Sequence, residues 1–198
     1  MSKLIPILDN GHGGAINGIY QTSGKRSPNW ELGVLYEGLF NRWIVNGVIK
    51  QLDALQIPYY HVSPELRDVS LNTRTIRANK IFKENPNTYL LSIHANAGGG
   101  TGLEGFTSIG ETLSDEVAEV FLRNLKNDFP HEKMRPDYFD GDMDKERDYY
   151  ILRNTSGRAV LLELGFMDHP ADYKKLWDLW HQQSLVNSIV NSIKEMYL

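Results

Sequence analysis

The sequence predicts one α/β domain with a mainly parallel sheet covered by helices on both faces. Three observations carry this. Strand-like apolar runs alternate with stretches of helical periodicity along the whole chain. Three of the runs, residues 4–8, 88–93 and 158–162, are almost continuously apolar, as strands buried on both faces are. Each of the three stops at a polar segment rich in glycine. At 198 residues the chain can bury one substantial core, and no linker or internal repeat divides it, so the expected domain spans residues 1–198.

The elements follow in order. Residues 4–8 open the sheet, and Asp9-Asn-Gly-His-Gly-Gly14 turns out of it. Active sites of open α/β sheets lie at the carboxyl ends of the strands, so this turn delivers His12 to that edge. Gly11, Gly13 and Gly14 allow a tight turn with space beside the ring. Residues 15–28 read as an exposed loop at the mouth. Leu32, Leu35, Leu39, Val45, Val48, Ile49, Leu52 and Leu55 recur at three- and four-residue steps and predict a helix over about residues 30–56. Glu37 and Asn41 share another face of it, and Gly33, Gly38 and Gly47 point to close packing against the sheet. Residues 57–62 form the next strand. Ser70 caps a helix to about residue 84, with Leu71, Ile76, Ala78, Ile81 and Phe82 on or near its buried side.

After a turn at Asn85-Pro-Asn87, residues 88–93 make a central strand that ends in His94-Ala-Asn-Ala-Gly-Gly-Gly100. This repeats the opening arrangement of strand, histidine and glycines. Residues 105–109 suit a strand and 113–128 a helix built on Val117, Val120, Phe121 and Leu125. The irregular, charged stretch 129–149 is long enough to be a functional lid or rim. Residues 150–154 read as a short strand. The strand 158–162 delivers Glu163 at its end, just before Gly165. Pro170 starts the first of one or two terminal helices that use Leu176, Trp177, Trp180, Leu185, Ile189 and Ile193.

Composition narrows the function. A net charge of -4 leaves no basic footprint, so no nucleic-acid partner is expected. With no cysteine, disulfides are excluded and any metal must be held by His, Asp or Glu. No apolar run approaches the roughly 18 residues of a membrane span, so no membrane insertion is expected. Met1-Ser2-Lys3 leads straight into a strand without a secretion signal.

If the three buried strands are parallel neighbours, His12, His94 and Glu163 meet at one sheet edge, and a helix offers Glu37. Two histidines and a carboxylate form a standard catalytic zinc set with a fourth position open for water. A further carboxylate that is not a ligand can move the water's proton to a leaving nitrogen, and Glu163 is placed for this. Each residue also has a plainer reading. His12 and His94 can be core imidazoles, Glu37 a solvated helix carboxylate, and Glu163 a partner of Arg74 or Arg158.

Asp9-Asn-Gly-His-Gly-Gly14, Glu37 with Asn41, Arg74-Thr-Ile-Arg-Ala-Asn79, Ser92-Ile-His-Ala-Asn96 and Leu162-Glu-Leu-Gly-Phe166 stand in this order along nearly the whole chain. The set resembles the zinc-dependent N-acetylmuramoyl-L-alanine amidases of the type-3 catalytic-domain family. The resemblance implies a mixed, mostly parallel sheet of about six strands wrapped by helices. It implies Zn2+ held by His12, Glu37 and His94, with Glu163 as the catalytic acid/base. The implied reaction is hydrolysis of the amide between N-acetylmuramic acid and L-alanine in peptidoglycan. Asn10 departs from the family, where proline is common, and Leu164, Met167 and Asp168 vary the usual ending. Glu31 competes with Glu37, which is preferred because Asn41 follows four residues later.

Arg74 and Asn79 read as structural, and His61, His131, His169 and His181 as outside the ligand set. Residues 140–144 mimic the start of a calcium loop, but Lys145 replaces its glycine and Ile151 its terminal glutamate, so a solvated loop is expected. Trp177 and Trp180 are expected to pack, and Trp30 and Tyr20 to touch substrate. The competing functions are a zinc peptidase cutting another bond of the stem peptide and a non-catalytic cell-wall binding module. A monomer acting on the cell wall is expected. It would be cytoplasmic until lysis if of phage type, and otherwise periplasmic or extracellular after export.

Overall fold

The sheet forms where the sequence is most continuously apolar. In the computed structural model, which describes residues 3–138 and 141–198, strands β1 (Ile5–Asp9), β5 (Thr88–Asn96) and β8 (Arg158–Phe166) run parallel and adjacent. A small hairpin, β2 (Ala15–Ile16) and β3 (Ile19–Tyr20), stands apart from them. β4 (Tyr60–His61) joins β1 in parallel, β6 (Glu104–Thr107) joins β8 antiparallel, and β7 (Lys145–Glu146) joins β6 in parallel. The order of the six-stranded sheet is β4-β1-β5-β8-β6-β7. It is mixed and mostly parallel, as expected.

Strand side chains alternate between faces, and the alternation sorts them into two cores. Leu8, Leu91, Ile93, Val160 and Leu162 share one core with the apolar sides of α1 (Glu37–Leu55), α3 (Leu113–Asp128) and α6 (Leu179–Tyr197). Ile7, Leu90, Ala159 and Leu161 share the other with α2 (Leu71–Glu84) and α4 (Tyr150–Arg153). Helix α5 (Pro170–Trp177) opens with the expected proline. Ser70 caps α2 by accepting from the Thr73 N–H at 3.2 Å, and Thr112 with Asp115 forms a capping box on α3.

Several expectations need correction. The first long helix starts at Glu37, not near residue 30. Trp30 and Gly33 form an isolated bridge, and Gly33 takes φ +93°, which no helix continues through. Leu32, counted on its apolar face, lies before the helix and is 50% exposed, and Leu39, in its first turn, is 40% exposed. Residues 150–154 form helix α4 and not a strand; a short apolar run does not by itself distinguish the two. The loop 15–28 contains the small hairpin, and the irregular stretch contains β7. Leu71 and Ile76 face solvent, because α2 buries Arg74, Thr75, Ala78 and Phe82 instead. Trp180 is 84% exposed rather than packed, whereas Trp177, 39% exposed, packs edge-on against Tyr173. Asp140, the first position of the calcium-like segment, lies outside the described residues. Among the described residues no helix is long and apolar enough to cross a membrane.

Gly47 packs against a helix, not the sheet: a Cβ there would lie 2.8 Å from Cγ2 of the buried Val186 on α6. Gly47→Leu improves intrinsic helix propensity but overpacks the α1–α6 contact. We expect a net loss of about 1–3 kcal/mol, read from urea midpoints at constant slope. A stabilised variant would refute the contact.

Candidate active site

Two imidazoles close on one carboxylate at the carboxyl edge of the sheet. His12 stands on the turn after β1, His94 near the end of β5, and Glu37 in the first turn of α1. His94 Nδ1 lies 2.8 Å from Glu37 Oε1, and His12 Nε2 lies 3.2 Å from Glu37 Oε2. The rings meet edge-on with centroids 5.1 Å apart. The local fold requires glycine twice here. Gly11 has φ +72°, and a Cβ on it would meet Asn41 Nδ2 at 2.5 Å. A Cβ on Gly38 would meet the Gly13 carbonyl oxygen at 2.0 Å, so the α1 N-terminus is seated directly on the His12 turn.

Glu31, the competing carboxylate, points away and pairs with Lys174 at 2.9 Å on the surface. Burial disfavours ionised Glu37, but hydrogen bonds and charge from His12 and His94 outweigh it and hold the carboxyl far below the usual range. Burial likewise opposes protonation of His94, yet Glu37 raises its pKa above the ordinary value. One donor atom from each of the three residues lies within 4.8 Å of the others. Two nitrogens and a carboxylate oxygen, without thiolate, suit a divalent metal ion.

Glu163 sits beside this cluster by register. It pairs laterally with His94 across β5 and β8, and with Glu104 across β8 and β6. The two carboxyls have opposite surroundings. Glu104 accepts from Asn96 at 2.6 Å, Arg135 at 2.5 Å and Lys145 at 2.6 Å. Burial raises its pKa, but these cations outweigh that and the net shift is downward. Among the described residues Glu163 has no such cation in contact. Burial pushes it up to about 8, with His94 opposing and Glu37 and Glu104 reinforcing the rise. Its Oε2 is buried without a hydrogen-bond partner among the described residues. The expected alternative partners are engaged elsewhere: Arg74 with Asp9 and Asp68, and Arg158 with the Pro86 carbonyl.

A cleft of about 640 Å³ holds His12, Glu37, His94 and Glu163, with Lys25 and Tyr149 on its walls. The structure thus brings all four sequence-predicted residues to one place. Tyr20 and Trp30 are not on its walls. The Tyr20 hydroxyl accepts the Gly38 N–H at 2.8 Å, and Trp30 packs edge-on against Tyr173. His61 Nε2 donates to Asn10 Oδ1 at 3.1 Å, and burial pushes the ring's pKa down to about 4. Sequence reasoning missed Glu104, Arg135 and Lys145. The one available signal was a glutamate beside an apolar strand run, Glu104-Gly-Phe106.

A sheet edge with a donor set that could hold a metal, beside a second carboxyl whose pKa is raised, is the layout of a metal-dependent hydrolase. The chain belongs to the N-acetylmuramoyl-L-alanine amidase family, whose model it matches over residues 7–195. It is 32% identical over 134 residues to the N-acetylmuramoyl-L-alanine amidase CwlM of Bacillus licheniformis, covering 65% of this chain and 47% of that protein. It is 30% identical over 138 residues to the sporulation-specific N-acetylmuramoyl-L-alanine amidase of Bacillus subtilis (strain 168), covering 65% and 46%. The matches thus span about half the length of these relatives. Its fold is similar to the N-acetylmuramoyl-L-alanine amidase from Clostridium difficile 630, with TM-score 0.74, 23% identity and coverage of 98% and 96%. It is also similar to Ami1 from Mycobacterium smegmatis, with TM-score 0.75, 21% identity and coverage of 99% and 97%.

The raised pKa of Glu163 has a sign that can be tested. The folded chain holds this proton from the ordinary 4.5 up to about 8, while the unfolded chain has lost it. Rising pH therefore costs stability across that window and nothing more above it. In metal-free protein, Glu163→Gln should match the parent near pH 4.5 and exceed it increasingly up to pH 8. At about 1.4 kcal/mol per unit, the gain reaches several kcal/mol. Denaturant midpoints at a series of pH values check this; a pH-independent difference would contradict it.

Proposed function

We propose that residues 1–198 form a zinc-dependent catalytic domain that hydrolyses the amide between N-acetylmuramic acid and L-alanine in peptidoglycan. His12, Glu37 and His94 would hold the zinc, and Glu163 is the catalytic acid/base. The observation that carries the reading is the Glu163 carboxyl, whose buried Oε2 has no hydrogen-bond partner among the described residues, beside three convergent donors. A zinc ion on those donors supplies Lewis-acid chemistry, polarising the scissile carbonyl and lowering the pKa of a water toward about 7.

The remaining work falls to the chain. Glu37 brings one negative charge to the cation, and the imidazoles bring none when neutral. Glu163 takes the proton of the attacking water and returns it to the alanine nitrogen as that bond breaks. With its pKa pushed up by burial to about 8, Glu163 can both hold and release a proton near neutral pH, as a proton shuttle must. Lys25 and Arg26 put positive charge on the cleft wall, which suits an acidic stem peptide. All four proposed residues come from one chain, so the site is complete in a monomer. The relatives named as N-acetylmuramoyl-L-alanine amidases support peptidoglycan as the substrate.

Glu163→Gln is expected to retain zinc and lose hydrolysis by about 10²–10⁴-fold, whereas His94→Ala loses both. Metal content and turnover of purified walls measure the two. Mass spectrometry of defined muropeptides should show a free lactyl carboxylate and a new alanine N-terminus. Parental turnover by Glu163→Gln would overturn the mechanism. Cleavage within the stem would favour the peptidase, and binding without product the cell-wall module.

A further inference from the structure

Beneath the candidate metal centre lies a buried carboxylate that the mechanism does not use. Asp9, the last residue of β1, is 0% exposed. Its Oδ1 accepts from Ser63 Oγ at 2.6 Å and Arg74 Nη1 at 3.0 Å, and its Oδ2 accepts from Ser92 Oγ at 2.7 Å. Ser92 Oγ in turn lies 3.1 Å from His94 Nε2. The chain of contacts runs from a buried ion pair to the back of a proposed ligand.

Counting protons fixes the direction of each contact. Asp9 faces the guanidinium of Arg74 and is ionised, so it can only accept. Ser92 has one hydroxyl proton, and at Asp9 it must donate it. Its oxygen is then left as an acceptor toward His94. Nε2 therefore carries hydrogen, and Nδ1 is the nitrogen turned to Glu37. Resting on the reading of His94 as a zinc ligand, we propose that Asp9 and Ser92 are positioning residues that hold the His94 ring with Nε2–H and so set its affinity for the metal. Outer partners of this kind orient metal-ligating imidazoles, and their loss weakens metal binding.

The same ion pair reaches the other histidine. Arg74 Nη2 donates to Asp68 Oδ1 at 3.1 Å, and Asp68 Oδ2 accepts from Thr22 Oγ1 at 2.8 Å. Thr22 Oγ1 accepts the backbone N–H of Gly13, next to His12, at 2.9 Å. One guanidinium thus braces both histidine-bearing segments.

Ser92→Ala removes the relay without leaving a buried charge unpaired. In the full chain its zinc dissociation constant, measured by competition with a chromophoric chelator, should weaken about 10–100-fold. Long-range ¹⁵N–¹H spectra of the zinc-loaded protein should show the altered hydrogen bond at His94 Nε2, and Ser92→Thr should restore both. Ser63→Ala is the control for the relay, because it takes a hydroxyl from the same carboxylate, and the acceptor of the Asn10 N–H on the His12 turn, without touching His94. It should lower thermal stability and leave the His94 Nε2 hydrogen bond as in the parent. Equal zinc affinity in Ser92→Ala and the parent, or the same spectral change at His94 Nε2 in Ser63→Ala and Ser92→Ala, would overturn the proposal. If His94→Ala itself kept parental zinc affinity, the ligand reading would be what failed.

Discussion

The pairing of Asp9 with Arg74 is the constraint on which the site depends. Both side chains are essentially inaccessible to water, at 1% and 2% exposure. Desolvating two charges costs several kcal/mol each, and the pair persists only because hydrogen bonds satisfy what the Coulomb attraction leaves over. Here they do: Asp9 has three donors, and Arg74 donates further to the Val69 carbonyl and to Asp68. The bonds join β1, β5, the start of α2 and the segment before it. An apolar pair of the same volume could stabilise the fold as well, but it would fix no imidazole and no turn. The buried charge is best understood as geometry bought with solvation energy.

A second constraint is the separation of carboxyl groups by environment. Glu37, Glu104 and Glu163 sit in one corner of the sheet, yet their surroundings differ. Glu37 has two imidazoles, Glu104 has Arg135 and Lys145, and among the described residues Glu163 has neither a cation in contact nor a hydrogen bond to its Oε2. Glu37 and Glu104 stay ionised on their own partners, and burial together with their negative charge keeps the proton on Glu163. Such divergence of neighbouring titratable groups is how acid and base roles become distinct on a fixed scaffold. Glu104 is then more than a surface glutamate turned inward. With its cations satisfied internally, it adds negative potential beside Glu163 without competing for a metal.

What the sequence disclosed follows from which interactions are local. The central strands are long apolar runs, so their ends, and with them His12, His94 and Glu163, were legible. The choice of Glu37 over Glu31 was not a matter of periodicity, since a helix drawn from residue 30 places both in it. It needed the resemblance through Asn41, and the structure supplies the reason: the chain stays extended through the positive φ of Gly33 and begins the helix at Glu37. Arg74 defeats pattern reading in the opposite way. An amphipathic helix is expected to bury its aliphatic residues, but α2 turns a guanidinium inward and leaves Ile76 60% exposed, because Asp9 is waiting across the interface. Glu104 was illegible for a related cause. Its partners Arg135 and Lys145 are 31 and 41 residues away, in the stretch with the least regular pattern.

Asn10 shows how a departure from the family's pattern can serve the same end. Proline at this place would set φ by its ring and would offer no N–H. Asn10 instead spends its N–H on Ser63 Oγ at 3.0 Å and its side-chain amide on the Ser63 carbonyl at 2.6 Å. Ser63 Oγ has its own proton on Asp9. The turn that carries His12 is therefore held by hydrogen bonds that end on the buried ion pair, where a ring would have held it alone. Rigidity at His12 thus depends in part on Asp9, which ties the two histidine turns to a common support.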